Sequence, residues 1–245
     1  MQTKRISRPV MIVLAVIAAF GAAAWIYQTM FGLGVTGMNN GTSWGLYIAS
    51  FMFFVGLSAG GLIVASSASI FHVTEFKKVA LPAVCVSTVC ICCAGLLVIL
   101  DLGGVARLFN LILSPNLISP LFWDICVITL YLVINLIYLY FMTSKKADKS
   151  KIAIVSRFAL PIAILVHSVT AWIFALQIAR EGWHSAIMGP LFVASAMDSG
   201  LALLLIALVW LNKRGIFETS KKLLAMLAGL LATCIAVDGY MVGCE

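Results

Sequence analysis

Apolar residues run in long blocks separated by short polar connections. Seven blocks are each about long enough to cross a bilayer as a helix, for which ~20 residues suffice. They cover residues 9–31, 44–71, 79–100, 121–142, 152–178, 189–211 and 222–242. The pattern predicts an all-α integral membrane protein of seven transmembrane helices. No connection is long enough for a soluble domain. Composition agrees: 63% of residues are apolar and mean hydropathy is +1.11, well above a soluble domain.

Charge adds orientation. With the N-terminus inside, the inner connections hold Lys4, Arg5, Arg8, Lys77, Lys78, Lys145, Lys146, Lys149, Lys151, Arg157, Lys213, Arg214, Lys221 and Lys222, which is 14 of the 16 Lys and Arg. Only Arg107 and Arg180 lie on the outer side. This bias predicts an N-in, C-out topology. The net charge of +7 is a topology signal and implies no nucleic-acid partner. The basic N-terminus and its apolar run imitate a signal peptide, but the run is too long for one and reads as an uncleaved first span.

A weak internal repeat runs parallel through the membrane. AWIY at 24–27 matches AWIF at 171–174, and LYIASFM at 46–52 matches LFVASAM at 191–197. Asp101 at the end of the third span has a counterpart in Asp238 of the seventh. The repeat implies two four-helix bundles, residues 1–142 and 152–245, the second lacking its last helix.

Candidate chemistry concentrates near the outer face. The stretch DLGGVARLFNLILSPNLISPLFWD, residues 101–124, gathers Asp101, Arg107, Asn110, Trp123 and Asp124 in a chain only 10% charged. Asp124, Tyr131 and Asn135 follow at i, i+7 and i+11, one face of a helix. His167 falls near mid-membrane, and Asp198 about 13 Å into the sixth span at 1.5 Å per residue. Ionisable groups inside a bilayer are costly and are functional candidates by default. Trp44 and Tyr47 open the second span, where amphipathic aromatics settle at the interface. Together these residues outline a polar pocket open to the outer face, with a carboxylate–histidine path leading inward. A quinone suits it: a flat apolar ring, two oxygens to bond and two protons that travel with two electrons. Histidine can exchange those protons.

Other chemistries fit less well. Seven cysteines, four of them crowded in the third span, read as small apolar residues rather than metal ligands. His72, His167 and His184 sit at different depths and cannot pair across a haem. A retinal protein needs a lysine within its last helix, and a G-protein-coupled receptor needs its N-terminus outside. A proton-coupled secondary transporter remains the alternative, since buried Asp and His also couple transport to protons. Gly56 and Gly60 form a small-xxx-small pair that lets a neighbouring helix approach closely.

The motifs DLGGVAR (101–107), SPLFWD (119–124), HSVTAW (167–172) and GWHSAIMGPLFVASAMDSG (182–200) resemble the NrfD-type, or polysulfide reductase membrane-subunit, family, as does WGLYIASFMFFVGLSAGG (44–61). The resemblance covers nearly the whole chain. It implies a haem-free anchor in a bacterial or archaeal cytoplasmic membrane, built as two four-helix bundles, with a quinone, menaquinone foremost, bound toward the periplasm. It also implies a periplasmic four-cluster ferredoxin-like iron–sulfur partner, coupled to a molybdopterin catalytic subunit or a multihaem cytochrome c. Asp101, Arg107 and Asp124 match the family's charged positions beside the quinone, and His167 and Asp198 match polar positions on its later helices. On this reading Asp101, Asp124 and His167 would bond quinone oxygens or take protons, with Asp198 and Asp238 as further relay positions. Arg107, Trp123, Tyr131, Trp44 and Asn110 would contact the head group. Two departures stand out. Some relatives carry a histidine in the second span near Ser58 and Ala59, which this chain lacks, and most have eight spans or more.

Overall fold

A computed structural model describes residues 8–39, 41, 42, 44–70, 73–144 and 149–245. His72 and the basic residues Lys4, Arg5, Lys145 and Lys146 lie outside the described residues. Seven described helices are long and apolar enough to span a membrane. They are α1 (Arg8–Phe31), α2 (Leu46–Ile70), α3 (Ala80–Asp101), α5 (Pro120–Thr143), α6 (Lys149–Ala175), α7 (Met188–Lys213) and α8 (Lys221–Cys244); α4 (Asn110–Leu113) is one turn in the loop before α5. The chain is a multi-pass integral membrane protein.

Local chemistry sets the helix ends. Pro120 opens α5, where its missing N–H costs nothing and its fixed φ is already helical. The Ser220 hydroxyl accepts from the Leu223 N–H at 3.3 Å and caps α8. Beyond the end of α3, Gly103 takes a φ of +62°, a conformation that side chains disfavour.

The second helix is the hub. It packs on α3, α6 and α7; α5 closes the circuit by packing on α3 and α6, so α2, α3, α5 and α6 form a four-helix ring. Close approach depends on missing side chains, as the small-xxx-small pair predicts. A Cβ on Gly60 would strike the backbone of Gly200 in α7, and one on Gly61 would strike the Ala83 carbonyl in α3. Beyond the ring, α7 carries α8 on its outer side.

Along α1 the apolar face is exposed, and Gln28 is its one buried residue. The Gln28 side chain donates to the Leu100 carbonyl at 2.9 Å and accepts from the Tyr47 hydroxyl at 2.8 Å, tying the outer end of α1 to α2 and α3. The ring therefore draws three helices from residues 1–142 and one, α6, from residues 152–245.

Candidate functional site

Where the ring meets the outer face it encloses a cavity of about 160 Å³. Ile48, Phe51 and Met52 of α2, Val98 and Ile99 of α3, Leu121, Ile125 and Ile128 of α5, and Ile173 and Phe174 of α6 line it. Trp44 stands at the outer rim. Among the described residues, Asp124 is the one ionisable group in the wall.

Asp124 is only 4% exposed. Its Oδ1 accepts a hydrogen bond from the Thr170 hydroxyl across the α5–α6 contact. A buried carboxylate needs such a partner, because desolvation penalises a charge that has none. One turn further inward on α6 lies His167, also buried. Its Nδ1 is 2.6 Å from the Ala163 carbonyl and its Nε2 is 3.0 Å from the Val55 carbonyl. A neutral imidazole has one N–H, so it bonds one carbonyl and turns a lone pair on the other; a doubly protonated ring bonds both.

The polar stripe continues down α5. Tyr131 is fully buried; its hydroxyl donates to the Ser58 carbonyl at 2.9 Å and shares a 2.9 Å bond with the Ser87 hydroxyl. Asn135 donates to the Tyr131 carbonyl, and the Tyr138 hydroxyl donates to the Ala65 carbonyl at 3.2 Å. Asp124, Tyr131, Asn135 and Tyr138 fall on one helix face over roughly 21 Å. Asn135 Oδ1 and Ser66 Oγ are buried without a protein partner, although buried polar atoms are ordinarily satisfied.

Of the residues singled out by sequence, Asp124 and Trp44 line this cavity; Tyr131 is buried two turns deeper on α5, and His167 borders a separate cavity shared with α7. Others stand apart. Arg107 and Asn110 are exposed, in the 3₁₀ turn Val105–Phe109 and at the start of α4. Trp123 is 49% exposed. Its indole N–H donates to the Leu117 carbonyl at 2.8 Å, and the ring faces an outward groove between α5 and α6 that it shares with Trp172. Asp101 ends α3 with its Oδ1 buried and unpartnered; among the described residues the ion pair found is Glu75–Lys78, not Asp101–Arg107. Asp198 and Asp238 contact each other between α7 and α8, outside the ring. Arg107 and Asn110 of the 101–124 stretch lie on the exposed side of a turn whose Leu102 and Leu108 line the cavity.

Three participants left little or no mark in the sequence pattern. Thr170 holds Asp124, Ser87 holds Tyr131, and Gln28 holds α1. Thr170 carried a faint signal, since it lies three residues from His167 on the same helix face. Ser87 and Gln28 carried none, because their partners are distant in the chain.

The profile of the polysulphide reductase NrfD family matches residues 34–243. The chain belongs to that family. The match begins beyond α1, the helix that packs least. This NrfD-family chain spans a little over half the length of the curated relatives it matches. One, from Halobacterium salinarum and provisionally named as a dimethyl sulfoxide reductase membrane subunit, is 38% identical over 91% of this chain and 56% of its own length. The Hdr-like menaquinol oxidoreductase integral membrane subunit of Archaeoglobus fulgidus is 33% identical over 96% of this chain and 58% of its own. A selenate reductase subunit of Mesobacillus selenatarsenatis is 23% identical over 92% and 61%.

Proposed function

We propose that this NrfD-family chain is the quinone-binding part of a membrane oxidoreductase subunit, with the cavity inside the helix ring as the head-group site. The observation that carries the reading is the pairing of apolar walls with a single buried, hydroxyl-held carboxylate at Asp124. The name of the Archaeoglobus relative, a menaquinol oxidoreductase subunit, favours menaquinone. The residues present fit such a group. The cavity has the dimensions of a one- or two-ring head group, its walls are aliphatic and aromatic, and Asp124 offers an acceptor for a hydroxyl.

A bound quinone or quinol supplies the exchange of two electrons with two protons. The residues then divide the work. Ile48, Val98, Ile125 and Phe174 exclude water and hold a flat ring by contact. Thr170 fixes the orientation of the Asp124 carboxylate, so that the other carboxylate oxygen is free to accept a hydroxyl proton. His167, one turn deeper, lies outside this wall, with both ring nitrogens against backbone carbonyls and one edge on a second cavity beside Gly56 and Ser195. The Tyr131–Ser87 pair extends the hydroxyl-bearing stripe inward. Electrons would pass to or from a periplasmic iron–sulfur subunit, itself coupled to a molybdopterin subunit or a multihaem cytochrome c. Relatives named as subunits of dimethyl sulfoxide and selenate reductases support an assembly of this kind.

The test is purification of the tagged full-length protein from detergent-solubilised membranes, with quinone extraction and an optical spectrum. Co-purifying iron–sulfur protein and bound quinone are expected. A lone protein without quinone would overturn the reading and return the buried Asp and His to the transporter alternative.

A further inference from the structure

Trp44 borders two cavities. Below it lies the apolar one with Asp124; above it lies a polar cavity of about 290 Å³ lined by Gly41, Thr42, Gln177, Arg180 and Trp183 on the outer face. Among the described residues it is the one common to both linings. Its indole stacks on Trp183, with ring centroids 5.8 Å apart and planes 11° from parallel. Phe174, also a wall of the inner cavity, meets both indoles edge-on at 5.4 and 5.2 Å. The Arg180 guanidinium lies 5.6 Å over the Trp183 ring and donates to the Gly41 carbonyl at 3.3 Å. It therefore ties the loop that carries Trp183 to the loop that carries Trp44. His184 fastens the base of that arrangement, with Nδ1 2.6 Å from the Ala175 carbonyl at the end of α6.

We infer that Trp183 and Arg180 are positioning residues that clamp Trp44 as a partition between the apolar cavity and a water-filled vestibule on the outer face. Aromatic stacking and cation–π contacts are individually weak, and none of these partners is part of the helix ring's packing on Gly60 and Gly61, so the indole can be released without disturbing the ring. Its role in the reaction rests on the quinone reading: a closed indole keeps water off the Asp124 site, and an open one connects that carboxylate to the outer solution for proton exchange. The partition itself does not rest on that reading.

The experiment uses the full-length protein in membranes, its native cysteines replaced, with Ile128→Cys reporting from the inner cavity. A charged, membrane-impermeant thiol reagent is added from the outer side in quinone-depleted membranes. Slow labelling is expected with Trp44 intact. Trp44→Ala and Trp183→Ala are each expected to accelerate it about tenfold, the population change that follows from losing one aromatic stack. Trp183→Phe is expected to restore slow labelling, and a Glu181→Cys control on the outer surface to label equally in every background. Fast labelling with Trp44 intact, or no acceleration in either alanine variant, would overturn the partition. Failure of the quinone reading shows separately, as absence of protection of Ile128→Cys by added quinone in the Trp183→Ala background, which leaves the cavity wall intact.

Discussion

Asp124 and Thr170 carry the residue-scale argument because each depends on the other. Asp124→Asn keeps the shape and removes the charge. On the proposed quinone function, quinol oxidation by the assembled complex is expected to fall by roughly 10²–10⁴, the range for losing a positioned proton acceptor, with subunit assembly unchanged; steady-state kinetics beside a pull-down checks both. Thr170→Val keeps the volume but leaves the carboxylate short of a donor. A stability loss of about 1–3 kcal/mol is expected, read as a lower thermal midpoint in detergent, with a smaller kinetic loss than in Asp124→Asn. The stripe Asp124–Tyr131–Asn135 was legible in the sequence because a helix repeats its face at fixed spacing, and no partner had to be known. Arg107, Asn110 and Trp123 were not legible in the same way. Their direction depends on the conformation of a loop, and charge density carries no information about direction. Thr170 was nearly hidden for another reason: a threonine in a membrane helix ordinarily bonds its own backbone, as Thr129 does with the Ile125 carbonyl at 2.7 Å, so its place beside His167 gives a faint signal and its partner 46 residues away gives none.

Helix order around the ring was the least legible feature at the scale of elements. A soluble helix advertises its buried face by amphipathicity, whereas these helices are apolar on both their lipid-facing and their packed sides. Small residues supply the remaining signal, and it sits on α2. Gly60→Ala is expected to destabilise the α2–α7 contact by at least the ~1–3 kcal/mol typical of overpacking, because the added methyl meets backbone that cannot rotate away. Gly21→Ala in α1, where nothing lies within 4 Å, is expected to be neutral or slightly stabilising through helix propensity. Thermal midpoints of the two variants separate a packing requirement from a generic preference for glycine. The 3₁₀ turn Thr74–Lys78, outside the spans, offers a pH-dependent case. Lys78 bonds Glu75 at 2.7 Å and holds its carboxyl below the ordinary range. A lowered folded-state value means the contribution is present above the unfolded pKa and fades as pH falls through the folded one. The pair is exposed, so Glu75→Gln is expected to shift the neutral-pH midpoint barely at all, and any difference from wild type should close on acidification.

Sidedness decides what the whole molecule does with protons. If the cavity opens outward, protons leaving a quinol there reach the periplasm while the electrons pass to a partner. The same site inverted would release them into the cytoplasm, and the energetic meaning of the reaction would change sign. The assignment rests on charge. Lys77, Lys78, Lys151, Arg157, Lys213, Arg214, Lys221 and Lys222 gather at one end of the helices, whereas Arg107 and Arg180 stand at the other. The Trp44–Trp183 stack and the cavity share the sparsely charged end. Two reporters test this in intact cells of a strain whose other cysteines are replaced. Cys244, exposed at the far end of α8, is expected to react with an impermeant maleimide added outside. A cysteine at Lys213, at the end of α7, is expected to react only after the membrane is opened. The reverse pattern would turn the cavity toward the cytoplasm, and the iron–sulfur subunit proposed above would then have to be sought on that side. Because only α8 lies between the two positions, a pattern in which both react from outside would mean instead that α8 does not cross the bilayer, which its apolar length opposes.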